Sequence, residues 1–64
     1  MKVNGEDHSP AEAVTVFELI ESFHLNPSLV AVELNGEICM RDEWKKTALK
    51  EEDKVEILRF VGGG

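Results

Sequence analysis

His8, His24 and Cys39 are the side chains of this chain that metal binding or nucleophilic catalysis would call on first. They lie about fifteen residues apart, without a C-x-x-C or H-x-x-x-H pair, so the spacing supports no metal site. Cys39 sits between Ile38 and Met40 in a predicted strand and reads as a half-buried, inert cysteine. The run Glu51-Glu52-Asp53 lacks the alternating oxygen ligands of a calcium loop and precedes a strand, which reads as a solvated turn. Gly5 and Gly36 are isolated turn glycines, so no loop is built to cradle a phosphate. Catalysis by this chain's own side chains is therefore not expected.

The C-terminus carries a different chemistry. Gly62-Gly63-Gly64 follows a predicted strand directly, with no packing use for three glycines. Such a tail should project as a flexible strip, bare of side chains and ending in a carboxylate, able to enter a channel too narrow for any Cβ. Terminal glycines alone equally describe a frayed end. Two apolar side chains just upstream add to the signal. In Val55-Glu56-Ile57-Leu58-Arg59-Phe60-Val61, the period of two that buries Val55 and Ile57 exposes Leu58 and Phe60, as anchors for a partner surface. Trp44 reads as core, because so small a chain needs its largest apolar side chain inside.

The elements that must position these groups follow from periodicity. Met1 and Val3 precede Asn4-Gly5, the dipeptide best suited to a tight hairpin turn, so two short antiparallel strands open the chain. Val16, Leu19, Ile20 and Phe23 then fall at i, i+3, i+4 and i+7, one apolar stripe of a helix whose wet face is Glu18, Glu21 and Ser22. Thr15 and Glu18 form a capping box, with Val14 and Leu19 as a staple, and the Thr15 cap is worth about 1 kcal/mol. Pro27 requires the helix to stop by Asn26, which places His24 in its last turn. Val30 to Leu34 and Glu37 to Met40 flank Asn35-Gly36 as a second hairpin, with Val32 and Leu34 facing the helix. Residues 41–54 read as a loop with one short turn of helix, anchored by Trp44, Ala48 and Leu49. The order β-β-α-β-β-β gives an α+β fold of the β-grasp (ubiquitin-like) type. Its mixed sheet of four to five strands carries one main helix on one face, and the first and last strands pair in parallel at its middle.

Sixty-four residues, 42% hydrophobic and 31% charged, suffice for one small domain and exclude a two-domain enzyme. Thirteen acidic residues against seven basic give a net charge of -6, which repels nucleic acid and anionic membranes. A single cysteine forms no internal disulfide, and no leader or membrane-spanning run stands out, so a cytoplasmic monomer is expected.

The whole chain resembles the ThiS family, bacterial sulfur carriers of thiamin biosynthesis with a ubiquitin-like fold. The resemblance rests on Val3-Asn4-Gly5-Glu6, Thr15-Val16-Phe17-Glu18-Leu19, the hairpin from Ala31 to Glu37, the segment from Arg41 to Trp44, and above all the ending from Asp53 to Gly64. Ala13 and Glu52 depart from it at positions where the family often has glycine; a positive φ at either would cost about 1 kcal/mol. The resemblance implies a domain of residues 1–61 and a tail of residues 62–64, and a protein-bound substrate rather than an enzyme. It implies that Gly64 is adenylated and then converted to a thiocarboxylate that donates sulfur for the thiazole, while Gly62, Gly63 and Gly64 thread the partner's active site. The implied partners are an E1-like adenylyltransferase (ThiF-like) that uses ATP, a thiazole synthase (ThiG-like), and a sulfur donor system such as a cysteine desulfurase. No cofactor or metal would be bound by the chain itself. Leu58 and Phe60 are the expected docking face, with Glu33 and Glu56 adding orientation and on-rate. The alternatives are the related sulfur carrier for molybdopterin synthesis, and a ubiquitin-like adaptor without tail chemistry.

Overall fold

Both Asn-Gly pairs turn the chain as their backbone freedom dictates. In the computed structural model, which describes residues 1–9 and 14–60, Asn4 and Gly5 have φ of 51° and 85°, and Asn35 and Gly36 have 53° and 86°. Positive φ at both central residues is what a type I′ hairpin requires. The first turn joins β1 (Lys2–Val3) to β2 (Glu6–Asp7), and the Met1 ammonium and His8 carbonyl extend that ladder with a bond of 2.8 Å. The second joins β3 (Val30–Leu34) to β4 (Glu37–Cys39), one residue short of the expected end at Met40. Ala13, Val61 and the glycine tail lie outside the described residues.

Helix α1 (Val16–Ser22) begins with the expected reciprocal cap. The Glu18 N–H donates to Thr15 Oγ1 at 3.2 Å and the Thr15 N–H donates to Glu18 Oε1 at 3.0 Å. Val16, Leu19 and Ile20 are buried and Phe23 packs against them, so the stripe read from the sequence is the core face. The helix ends earlier than expected. Phe23 is the C-cap and His24 stands beyond it at φ 58°, not in the last turn. The His24 N–H bonds the Glu21 carbonyl at 3.0 Å and the Leu25 N–H bonds the Ile20 carbonyl at 3.4 Å, the two bonds of a Schellman stop. Histidine holds the left-handed position that glycine usually takes, so Pro27 marked only an outer limit for the helix.

A single turn of 3₁₀ helix, Pro27–Leu29, leads into β3, and a longer one, Arg41–Lys46, supplies the helical turn expected within residues 41–54. Trp44 anchors the latter from inside the core, its Nε1–H donating to the Cys39 carbonyl at 2.9 Å. Leu49 is buried with it, whereas Ala48, expected as a third anchor, is exposed and bridges to Thr15 through backbone alone. Lys45 Nζ lies 4.8 Å above the Phe17 ring, a cation–π contact between this segment and α1.

Strand β5 (Lys54–Arg59) runs through the middle of a five-stranded sheet of order β2-β1-β5-β3-β4, parallel to β1 and antiparallel to β3. Val3, Val30, Val32, Val55 and Ile57 close the core against α1 on one face. This is the β-grasp sheet expected, at the upper end of the strand count.

A further expectation is corrected. Asp53 is not part of a solvated turn: it is 8% exposed, and its carboxylate accepts the Lys50 N–H at 2.8 Å and Asn35 Nδ2–H at 3.0 Å. Its burial ties the second hairpin to the start of β5, since the Lys54 N–H donates back to Asn35 Oδ1 at 2.9 Å. Glu52 is not among the residues of positive φ, so the glycine expected there is replaced without strain.

Candidate functional site

Burial of Val55 and Ile57 fixes the register of β5, and the register fixes what its other face presents. Ala31 pairs with Leu58, Val32 with Ile57, and Glu33 with Glu56. Leu58 is 45% exposed and Phe60, just past the strand, is 59% exposed. The Phe60 N–H still donates to the Leu29 carbonyl at 2.9 Å, so the β5 ladder continues to the last described residue before the tail. Both side chains proposed as anchors therefore stand on open sheet surface at the root of the tail.

Period two along β4 adds residues that the sequence reading did not single out. Cys39 lies opposite the core residue Val32 and packs against the core, which turns Ile38 outward; Ile38 and Met40 are 58% and 63% exposed. With Ala31 and Phe60 they line an open groove of about 450 Å³. The signal was present in the alternation Ile38-Cys39-Met40, once Cys39 is taken as the inward member.

Glu33 and Glu56 face each other directly on this same surface, between the apolar patch and the Lys2 end of the sheet. Like charges directly opposite destabilise a strand pair. Among the described residues neither carboxylate has a cationic partner within 4 Å; the ion pair there is Lys2 with Asp7, at 2.9 Å. The surface thus combines an apolar centre with an uncompensated acidic flank, the arrangement of a recognition face with a charged rim.

His8, His24 and Cys39 are not brought together. The His8 and Phe23 rings lie 5.6 Å apart, tilted at 52°, His24 follows the C-cap of α1, and Cys39 Sγ rests 3.8 Å from Thr47 Oγ1. Among the described residues no group of three or more His, Cys, Asp or Glu could hold a metal ion. No helix among them is long and apolar enough to cross a membrane.

This architecture is shared with known proteins. The crystal structure of the thiamine biosynthesis protein ThiS from Geobacter metallireducens superposes with a TM-score of 0.79 at 39% identity, covering 98% of this chain and 96% of that one. The sulfur carrier protein ThiS of Bacillus subtilis is 34% identical over 65 residues, spanning 100% of this chain and 98% of that protein. The thiazole synthase of Magnetococcus marinus is 34% identical over 62 residues, but this chain spans only 19% of its length. The model of the ThiS family matches residues 1–64, from the first hairpin to the last glycine. The chain belongs to the ThiS family.

Proposed function

We propose that this chain is a cytoplasmic sulfur carrier of thiamin biosynthesis, a protein-bound substrate whose Gly64 carboxylate is activated and loaded by partner enzymes. The observation that carries the reading is the match along its full length to the ThiS family, with the Gly62-Gly63-Gly64 ending included. A carboxylate is a poor electrophile. In the proposed cycle it attacks the α-phosphorus of ATP on an E1-like adenylyltransferase, releasing pyrophosphate. The terminal sulfur of a persulfide, drawn ultimately from cysteine through a donor such as a cysteine desulfurase, then displaces AMP to form an acyl disulfide, and a thiol reductant cleaves its S–S bond to release the thiocarboxylate and leave a disulfide. A thiazole synthase receives the sulfur; the likeness of this chain to part of the Magnetococcus marinus thiazole synthase supports that pairing.

The chain's own contribution is presentation. Gly62, Gly63 and Gly64 offer a strip that passes where a Cβ would clash. Leu58 and Phe60 supply the apolar anchor at its root, and Glu33 with Glu56 supplies charge that steers the encounter. Incubation with ATP and the E1-like enzyme of the same genome, followed by intact-mass measurement, tests the reading. Addition of an AMP moiety, or exchange of one oxygen for sulfur at Gly64, is expected. An unchanged mass with an enzyme that activates its own established carrier overturns it.

A further inference from the structure

The inner face of β5 ends in a residue that the core does not use. Val55 and Ile57 are buried beneath α1, and two residues on, the same face presents Arg59, which is exposed and pairs in register with buried Val30. Among the described residues Arg59 has no carboxylate within 4 Å, in a chain of net charge -6. It lines an open cavity of about 370 Å³ with Ser22, His24 and Asn4, beneath the C-terminal end of α1. It also lines a second cavity, of about 270 Å³, that continues past His24 and Leu25 to Phe60.

The polar groups around the first cavity include hydrogen-bond donors. Asn4 Oδ1 is taken up by the Ile57 N–H at 2.7 Å, which leaves its amide N–H groups as its remaining capacity. The Ser22 hydroxyl already donates to the Leu19 carbonyl at 2.7 Å. The Arg59 guanidinium is a planar fork of donors that matches a carboxylate with two bonds, and an imidazole supplies at least one N–H in either protonation state. His24 holds its place at φ 58°, where glycine would be cheaper by backbone conformation alone.

We infer that the Arg59–His24 cavity receives an acidic side chain of the adenylyltransferase that takes the tail. The inference rests on the carrier reading and adds a second contact of opposite sign to it. Because the cavity opens at the root of the tail, on the sheet face opposite Leu58, a protein that closes around the tail meets both. The outer face with Glu33 and Glu56 asks for a cation from the partner, while the inner face asks for a carboxylate. This opposed pair of charges fixes which way the sheet faces when the tail enters, a specificity that apolar contact alone lacks.

The test measures Kd by calorimetry, and KM and kcat by ATP–pyrophosphate exchange, with the E1-like enzyme of the same genome. Arg59→Glu is expected to raise Kd and KM about tenfold or more with kcat unchanged. Arg59→Gln, which keeps most of the side-chain volume, should show a smaller rise and an unchanged thermal midpoint. His24→Gly should weaken binding a few-fold while the thermal midpoint rises, a split that a purely structural histidine would not give. Wild-type Kd for Arg59→Glu overturns the inference. So does saturable binding of inorganic phosphate, seen as shifts of the Arg59 and His24 amide resonances, because it would make the cavity a small-anion site. If wild type is modified and the Arg59 variants match it, this contact fails and the carrier reading stands; if wild type is neither bound nor modified, both fall.

Discussion

The two ends of β5 differ in how their side chains are satisfied. Where the strand starts, Asp53 and Asn35 are held within the fold: Asp53 accepts from Lys50 and Asn35, Asn35 accepts from Lys54, and the Asn35 N–H donates to the Lys54 carbonyl at 2.7 Å. Where it ends, Leu58 and Phe60 lie open and Arg59 is unpaired among the described residues, six positions or fewer from Gly64. One end has its side chains paired within the fold, and the other leaves them exposed, which on the carrier reading makes them available to a partner. A residue's position along this strand should therefore decide whether its loss harms folding or partner chemistry, and the two kinds of harm should separate cleanly.

The largest separation is expected at the tail. Deleting Gly63 and Gly64 should abolish ATP-dependent modification, read by intact mass, and leave the thermal midpoint unchanged within error. Gly63→Val should do the same, because a β-branched side chain restricts φ and, on the carrier reading, would clash where the partner's channel takes bare backbone. A truncated chain modified at its new end at the full rate would break the comparison at its functional pole.

The opposite pole is tested at Asp53. Asp53→Ala leaves the Lys50 N–H and the Asn35 amide without their acceptor in a part-buried site, which should cost about 2–3 kcal/mol in urea unfolding. That is a large share of the stability of a domain this small. At temperatures where the variant is still folded, its rate of modification should match wild type. A variant that folds normally would show that the network is ornamental.

How far this division was legible in the sequence depends on the range of the interactions involved. The outer placement of Leu58 and Phe60 follows from a period of two within one strand, and the Thr15–Glu18 cap from a spacing of three, so both could be read locally. The side-chain partner of Asp53, Asn35, is eighteen positions away, and inside Glu51-Glu52-Asp53 its charge looks like its neighbours'. His24 was hidden for a related reason, since the usual glycine punctuation of a helix end is absent and the stop depends on how Leu25 packs. Arg59 pointed inward by the same alternation as Val55 and Ile57, but only the tertiary meeting of β5 with the end of α1 makes a cavity there.

The functional end is sharpened by single charges on its apolar patch. Leu58→Glu or Phe60→Glu should leave stability within about 0.5 kcal/mol, the range of ordinary surface changes. Association with the adenylyltransferase should weaken by about 2 kcal/mol, roughly thirtyfold. Ile38→Glu, on the neighbouring strand, extends the test to the groove that Phe60 lines. Variants that bind normally but unfold easily would return these side chains to the core and remove the distinction between the two faces.

The smallest effect is expected at the far edge of the sheet, where Asp7 offers a contrast to Asp53. Both are aspartates that accept hydrogen bonds, but Asp7 is exposed on an outer strand, and its partner is the flexible end of Lys2 at 2.9 Å. The hydrogen bond from Lys2, and then its charge, lower the Asp7 pKa below the ordinary value of 3.8. A carboxylate whose pKa is lower in the folded state favours folding when it is ionised. Its contribution is present above the unfolded pKa and is lost as the pH falls through the folded one, so the effect is confined to the region below about pH 4. Lys2→Met and Asp7→Asn should each flatten that part of the stability profile, measured by thermal unfolding, and leave the profile near neutral pH parallel to wild type. Salt should shrink the difference, because an exposed pair is screened. A loss at neutral pH as large as that of Asp53→Ala would show that this edge, too, is held by its charges, and that the contrast between partnered and open aspartates does not follow burial.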